Sequence, residues 1–155
     1  MKAVLKYLLV NLILICLSAD AFAQDTLVTV QYDMNRCVRL YLGDEPLIAT
    51  NRETLDSIIR KGASKERCQE MLGGFDIDHF SLLGINLNSG YCREPEGLDF
   101  RVIKIDAEKK YIVEISYDDP IGICRALSSY NLWMKVPALS AGYEVEFMVS
   151  SRKRE

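Results

Sequence analysis

Apolar residues recur at two different periods along this chain, and the switches between them mark out its elements. Leu27, Val28 and Val30, with Gln31 and Tyr32, predict an opening strand, and Val38 to Leu42 predicts a second that ends at the turn-forming run Gly43-Asp44-Glu45-Pro46. Leu47 to Ala49 continues the sheet. The period then becomes helical: Leu55, Ile58 and Ile59 stand at i, i+3 and i+4, Thr50 and Glu53 have the spacing of a capping box, and Gly62 stands where such a helix would stop. A short further helical turn fits Glu66 to Leu72, with Cys68, Met71 and Leu72 on one face before Gly73-Gly74. From Phe75 onward period two returns. Ser81 to Asn88 and Leu98 to Asp106 alternate, Ala107 to Lys110 forms a charged connection, and Tyr111, Val113, Ile115 and Tyr117 take every second position, as a strand with one buried face does. Asp119-Pro120-Ile121-Gly122 turns the chain, and Leu132 to Val136 and Tyr143 to Val149 predict the last strands. Short strands at this spacing imply an α+β fold: a mainly antiparallel sheet folded as a small sandwich or open barrel, with one N-terminal helix.

The first residues do not belong to that pattern. Lys2 and Lys6 make a positive end, Tyr7 to Leu17 is apolar, and Ala21-Phe22-Ala23 is a small-residue cleavage site before Gln24. Residues 1–23 therefore read as a secretory signal peptide, leaving 24–155 as a single exported domain. The apolar run is interrupted by Asn11 and falls short of the roughly 20 residues that a membrane span needs. Leu14 and Ile15, ahead of Cys16, are too large for a lipoprotein cleavage motif, which wants small side chains there. The expected product is soluble, periplasmic or extracellular, with no membrane insertion once the leader is gone.

Cleavage discards Cys16 and delivers Cys37, Cys68, Cys92 and Cys124 to an oxidising compartment. Four cysteines allow three pairings. Strand order favours Cys92 with Cys124, each beside a glycine-containing turn at the ends of one hairpin, which leaves Cys37 with Cys68. Four thiolates also suit a tetrahedral zinc cage, but no C-x-x-C pair is present, so disulfides are the reading taken. Removal of the leader takes away two lysines and one aspartate, so the net charge of −3 becomes −4. An acidic balance of this kind argues against a nucleic-acid partner, and the one basic run, Arg152-Lys153-Arg154, lies at the very end.

Chemistry-bearing residues are sparse. His79 is the single histidine, close to Asp76 and Asp78, and the period of a strand would put these side chains on alternating faces rather than around one metal. No serine sits in G-x-S-x-G and no glycine loop would cradle a phosphate. Glu94, Glu96, Asp99, Asp118 and Asp119 are loop or strand-end carboxylates from which a hydrolase pair could be drawn. No catalytic, cofactor-binding or metal-binding residue is assigned, and the chain reads as non-enzymatic. Tyr91, Tyr130, Trp133 and Tyr143 lie near strand ends, where aromatic side chains either anchor partners or close the core.

The segment Asp76-Ile77-Asp78-His79-Phe80 leads into the apolar strand Ser81-Leu82-Leu83-Gly84-Ile85, and the glycine turn Asn88-Ser89-Gly90-Tyr91 follows. Further on come Ala126-Leu127-Ser128-Ser129-Tyr130, then Val136-Pro137, then Val145-Glu146-Phe147. This order, with a helix over Thr50 to Lys61 ahead of it, resembles the C-terminal domain of the protease complex subunit PrcB family, small exported bacterial proteins. The likeness covers about residues 50–149. Ser89-Gly90 stands where that family has two glycines, and only Gly90, Tyr91 and Pro137 match positions typical of its pattern. The resemblance implies a non-catalytic accessory protein that associates with another exported or surface protein, such as a protease complex. The partner-binding loop is then expected at Asn88, Ser89, Gly90 and Tyr91, on a frame stiffened by disulfides. The competing expectations are a small exported hydrolase using the loop carboxylates, and a protease inhibitor presenting an extended loop.

Overall fold

The computed structural model describes residues 24–34, 37–41, 44–62, 64–88, 95–119 and 129–153. The described residues form three strands, two consecutive helices and five further strands: β1 (Gln24–Leu27), β2 (Val30–Gln31), β3 (Leu47–Ala49), α1 (Arg52–Lys61), α2 (Lys65–Leu72), β4 (Phe80–Asn88), β5 (Glu96–Ile105), β6 (Lys110–Asp119), β7 (Ser129–Pro137) and β8 (Glu144–Lys153). The strands form two four-stranded sheets. The outer sheet has the order β1-β5-β6-β8 and the central sheet the order β2-β7-β4-β3. Neighbouring strands are antiparallel except β6 and β8, which run parallel because β7, between them in the chain, belongs to the other sheet.

One expectation about this architecture holds and one is corrected. The sheets form a sandwich, one of the two expected arrangements, but the described residues hold two helices instead of one, both placed after three strands rather than at the N-terminus. The opening run also divides. β1 pairs with β5 in the outer sheet and β2 with β7 in the central one, so the chain changes sheets at Val28 and Thr29. Val38 to Tyr41, within the run expected as a strand, pairs with no strand among the described residues. Val38 and Leu40 are buried while Arg39 and Tyr41 are exposed, so an extended segment keeps period two without a hydrogen-bonded ladder.

The central sheet is buried on both faces. One face meets the outer sheet: Leu83, Ile85 and Leu87 of β4 and Leu132, Met134 and Val136 of β7 pack with Val102 of β5 and with Tyr111, Val113, Ile115 and Tyr117 of β6. The other face carries Leu82 and Trp133. These are covered by Leu55, Ile58 and Ile59 of α1, Cys68 and Leu72 of α2, and the segment holding Met34, Cys37, Val38 and Leu40. A sheet covered on both sides needs near-continuous apolar strands, which is why β4 and β7 alternate less cleanly than β6.

Local chemistry sets the helix limits. Asn51 caps α1: its Oδ1 accepts from the Thr54 amide at 2.9 Å, and Thr54 Oγ1 accepts from the Asn51 amide at 3.2 Å. The reciprocal cap lies one residue beyond the Thr50 and Glu53 pairing that the sequence suggests. Asn is among the strongest N-cap residues, so it takes that position in preference to Thr50. Gly62 ends α1 in an extended conformation, and a Cβ there would come within 2.3 Å of Cys68 Sγ. That sulfur belongs to the disulfide between Cys37 and Cys68, with Cα atoms 4.7 Å apart, which fastens the segment after β2 to α2. A bridge closing a separation of 31 residues restricts the unfolded chain by about 3 to 4 kcal/mol in the chain-entropy account.

Candidate binding end of the sandwich

Four strand ends gather at one end of the molecule. β4 finishes at Asn88, whose partner is Ser129 at the start of β7; β5 starts at Glu96, whose partner is Asp118 near the end of β6. In the chain, segment 89–94 follows the end of β4 and precedes β5, and segment 120–128 follows β6 and precedes β7. Of the expected loop, Asn88 closes β4, while Ser89, Gly90 and Tyr91 lie outside the described residues, as do Cys92, Cys124 and Glu94.

What is described at this end is an interlocked corner. The β5 ladder is irregular between Glu96 and Asp99, and Gly97 sits there with φ +58°, a left-handed conformation that favours glycine. A Cβ on Gly97 would also fall 2.4 Å from Asp118 Oδ2. Arg152 of β8 joins the parts: its Nε lies 3.0 Å from Asp118 Oδ1, and its Nη2 donates to the Gly97 carbonyl at 2.7 Å. One guanidinium thus ties β5, β6 and β8 together at this end. In the sequence Arg152 belongs to a terminal basic run, which does not reveal this role. The signal that could have found it is position, because a strand from Val145 extended at constant period carries its polar face to Arg152.

Of the expected carboxylates, the structure brings Glu96 and Asp118 together and sets Asp99 apart from them in the β5–β6 ladder. Glu96 and Asp118 are cross-strand partners, Asp99 stands opposite Ser116, and Asp119 ends β6. Asp99 borders an open depression of about 570 Å³ on the outer sheet, with Arg101, Glu114, Ser116, Met148 and Ser150. There Arg101 Nε and Glu114 Oε2 are 2.5 Å apart. His79 is remote from this group in the fold, in the turn before β4. Its Nδ1 meets Asp76 Oδ2 at 2.9 Å, and its amide donates to Asp76 Oδ1 at 3.3 Å. Desolvation acts upward on Asp76, but the hydrogen bond and charge of His79 outweigh it and hold the carboxyl below its ordinary range. His79 is 78% exposed, so this pair is a solvated turn contact. Among the described residues no three His, Cys, Asp or Glu side chains converge on one metal position. Cys37 and Cys68, bonded to each other, cannot serve as thiolates in a four-cysteine zinc cage.

The aromatic candidates divide as well. Trp133 is buried against Gly84, its cross-strand partner, and belongs to the core. Tyr130, at the loop end, is half-buried and its hydroxyl accepts from Gln31 Nε2 at 2.7 Å. Tyr143 lies before β8 and donates to Asp106 Oδ1 at 2.6 Å. No family model matches the chain, and neither a curated protein nor a solved structure matches it.

Proposed function

We propose that this chain is an exported, non-catalytic accessory subunit that presents the loop end of its sandwich to another exported or surface protein. The observation that carries the reading is the corner made by Arg152, Asp118 and Gly97. It pins three strands of one sheet at the end where β4 finishes and β7 begins, on a frame whose central sheet is buried on both faces. Loops held on a stiff frame lose little freedom on binding, so more of the contact energy remains as affinity. The acidic chain suits a protein partner rather than a nucleic acid. The resemblance of the Asp76 to Tyr91 and Val136-Pro137 segments to the PrcB family points to a protease complex as the kind of partner.

The test is site-specific photo-crosslinking in the native envelope. A photoreactive residue at Tyr91 is expected to capture one protein species, and the same residue at Glu66, on the exposed side of α2, is expected to capture none. A protease subunit among the Tyr91 products supports the accessory role. Equal labelling from both positions would remove the loop end as the binding site.

A further inference from the structure

Among the described residues, three of the four sheet edges are short: β1 has four residues, β2 two and β3 three. The fourth is different. β8 pairs with β6 over ten residues in unbroken register, and its other side has no neighbouring strand among the described residues. An edge of that length is a template for another chain unless proline, a bulge or an inward-pointing charge blunts it. β8 contains no proline and its register has no bulge; of its inward positions Val145 and Phe147 pack on the core, Val149 and Ser151 follow, and the one charged residue at such a position, Lys153, comes only at the last residue of the strand. Two of the exposed large apolar residues of the molecule, Met148 at 49% and Val149 at 44%, lie at its midpoint.

We propose that β8 is the interface between two copies of this chain, joined antiparallel about a two-fold axis normal to the outer sheet, so that two four-stranded sheets become one of eight strands. This goes beyond the partner-binding role and does not depend on it. The occupant follows from the polarity of the strand. Glu144 and Glu146 are in its first half and Arg152 is in its second, so an antiparallel copy can set Glu146 of each chain against Arg152 of the other, whereas a parallel copy would set like against like. Residues directly opposite in an antiparallel pair share a face, so even-numbered positions must meet even-numbered ones. The register centred on Val149 puts Val149 of each copy on the axis, Met148 beside Ser150, and Glu146 opposite Arg152. A second copy brings the matching order of charges by symmetry, and that complementarity selects it as the occupant.

Within each chain Glu146 is paired with Lys110, and Arg152 with Asp118. That allows a test in which the two kinds of pairing separate. The chain is expressed with its own N-terminal segment, purified without reductant, and its mass in solution is followed by light scattering from about 1 to 100 µM, the range in which mass action reveals a modest dimer. A concentration-dependent dimer is expected. Glu146→Arg and Arg152→Glu are each expected to weaken it at least about tenfold by placing like charges across the axis. The double variant is expected to recover the dimer, although both intrachain pairs stay broken in it. A wild-type chain that is monomeric throughout, or a double variant no better than the single ones, overturns the proposal. As a measurement independent of substitution, the β8 amides of the wild-type protein should gain protection from hydrogen exchange as concentration rises. Protection that instead appears only when another protein is added assigns the edge to that protein and refutes the second copy.

Discussion

Gly84 lies in the middle of β4 directly opposite Trp133, and the indole fills the space that a side chain at position 84 would occupy. A Cβ there would come within 2.3 Å of Cζ3 and 2.5 Å of Cε3 of a ring that is itself buried. A rigid aromatic in a closed core has no low-energy rotamer to retreat to, so Gly84→Ala is expected to destabilise the fold by about 1 to 3 kcal/mol. Removing the ring should relieve the clash. Trp133→Leu destabilises by itself through lost packing, but adding Gly84→Ala to it should cost much less than adding it to the wild type. Urea titrations of the four proteins, followed by far-UV circular dichroism, measure that coupling, and additive effects would mean that the ring and the glycine are not in contact. Gly97 carries a comparable constraint at the loop end, where backbone conformation and the Asp118 carboxylate both exclude a side chain. Neither constraint could be read from the sequence, because a glycine inside an apolar run does not say which partner occupies its empty space.

Where whole elements meet, the turn between β5 and β6 is clamped to the start of β8 by Lys104, Asp106 and Tyr143. Lys104 Nζ lies 2.7 Å from Asp106 Oδ1, and the Tyr143 hydroxyl donates to the same oxygen. The hydrogen bond from Lys104, then that from Tyr143, holds the Asp106 carboxyl below its ordinary range. The same contacts raise Lys104 and Tyr143, in each case chiefly through the hydrogen bond to Asp106. A lowered acid stabilises the fold above its unfolded pKa and loses that contribution as pH falls through the folded value. Raised Lys and Tyr groups stabilise it below their unfolded pKa values and lose the contribution as pH rises through the folded ones. The clamp is therefore whole between about pH 5 and 9 and is released on either side. Asp106→Asn should flatten both limbs of a melting-temperature profile, and because the groups are exposed, molar salt should shrink the difference between variant and wild type. An unchanged alkaline limb would show that Tyr143 and Lys104 are not coupled through Asp106. At this scale the sequence was most legible where a strand has one wet face: Tyr111, Val113, Ile115 and Tyr117 are all buried, as their spacing predicts. It was least legible where partner choice matters. The division of residues 24–31 between two sheets and the parallel pairing of β6 with β8 both depend on distant segments that local periodicity does not encode. The unpaired run around Val38 shows the converse, since alternation reports alternate burial and not a ladder.

For the molecule as a whole, the described disulfide fastens the helical side of the fold. The bridge between Cys37 and Cys68 is formed on the helical side, at the pairing that strand order left for them. Cys92 and Cys124 lie outside the described residues, but the strands that flank them do not. Cys92 is four residues beyond Asn88, Cys124 five residues before Ser129, and Asn88 and Ser129 are Cα partners. Adjacent strands lie about 4.8 Å apart, and a disulfide spans Cα separations of about 4.4 to 6.8 Å, so two segments leaving neighbouring strand ends start at bridging distance. A second bridge between Cys92 and Cys124 is the expected outcome of peptide mapping under non-reducing conditions, after the chain has been alkylated without reductant. Finding Cys92 or Cys124 alkylated, or joined to Cys37 or Cys68, would defeat it. The bridge would join the loop containing Tyr91 to the loop that follows β6, so mild reduction should weaken partner crosslinking from Tyr91 before the core unfolds. The central sheet, buried on both faces by apolar packing, does not depend on a link at the loop end. Loss of crosslinking that only tracks global unfolding would mean that the frame, and not the second bridge, sets the geometry of the loops.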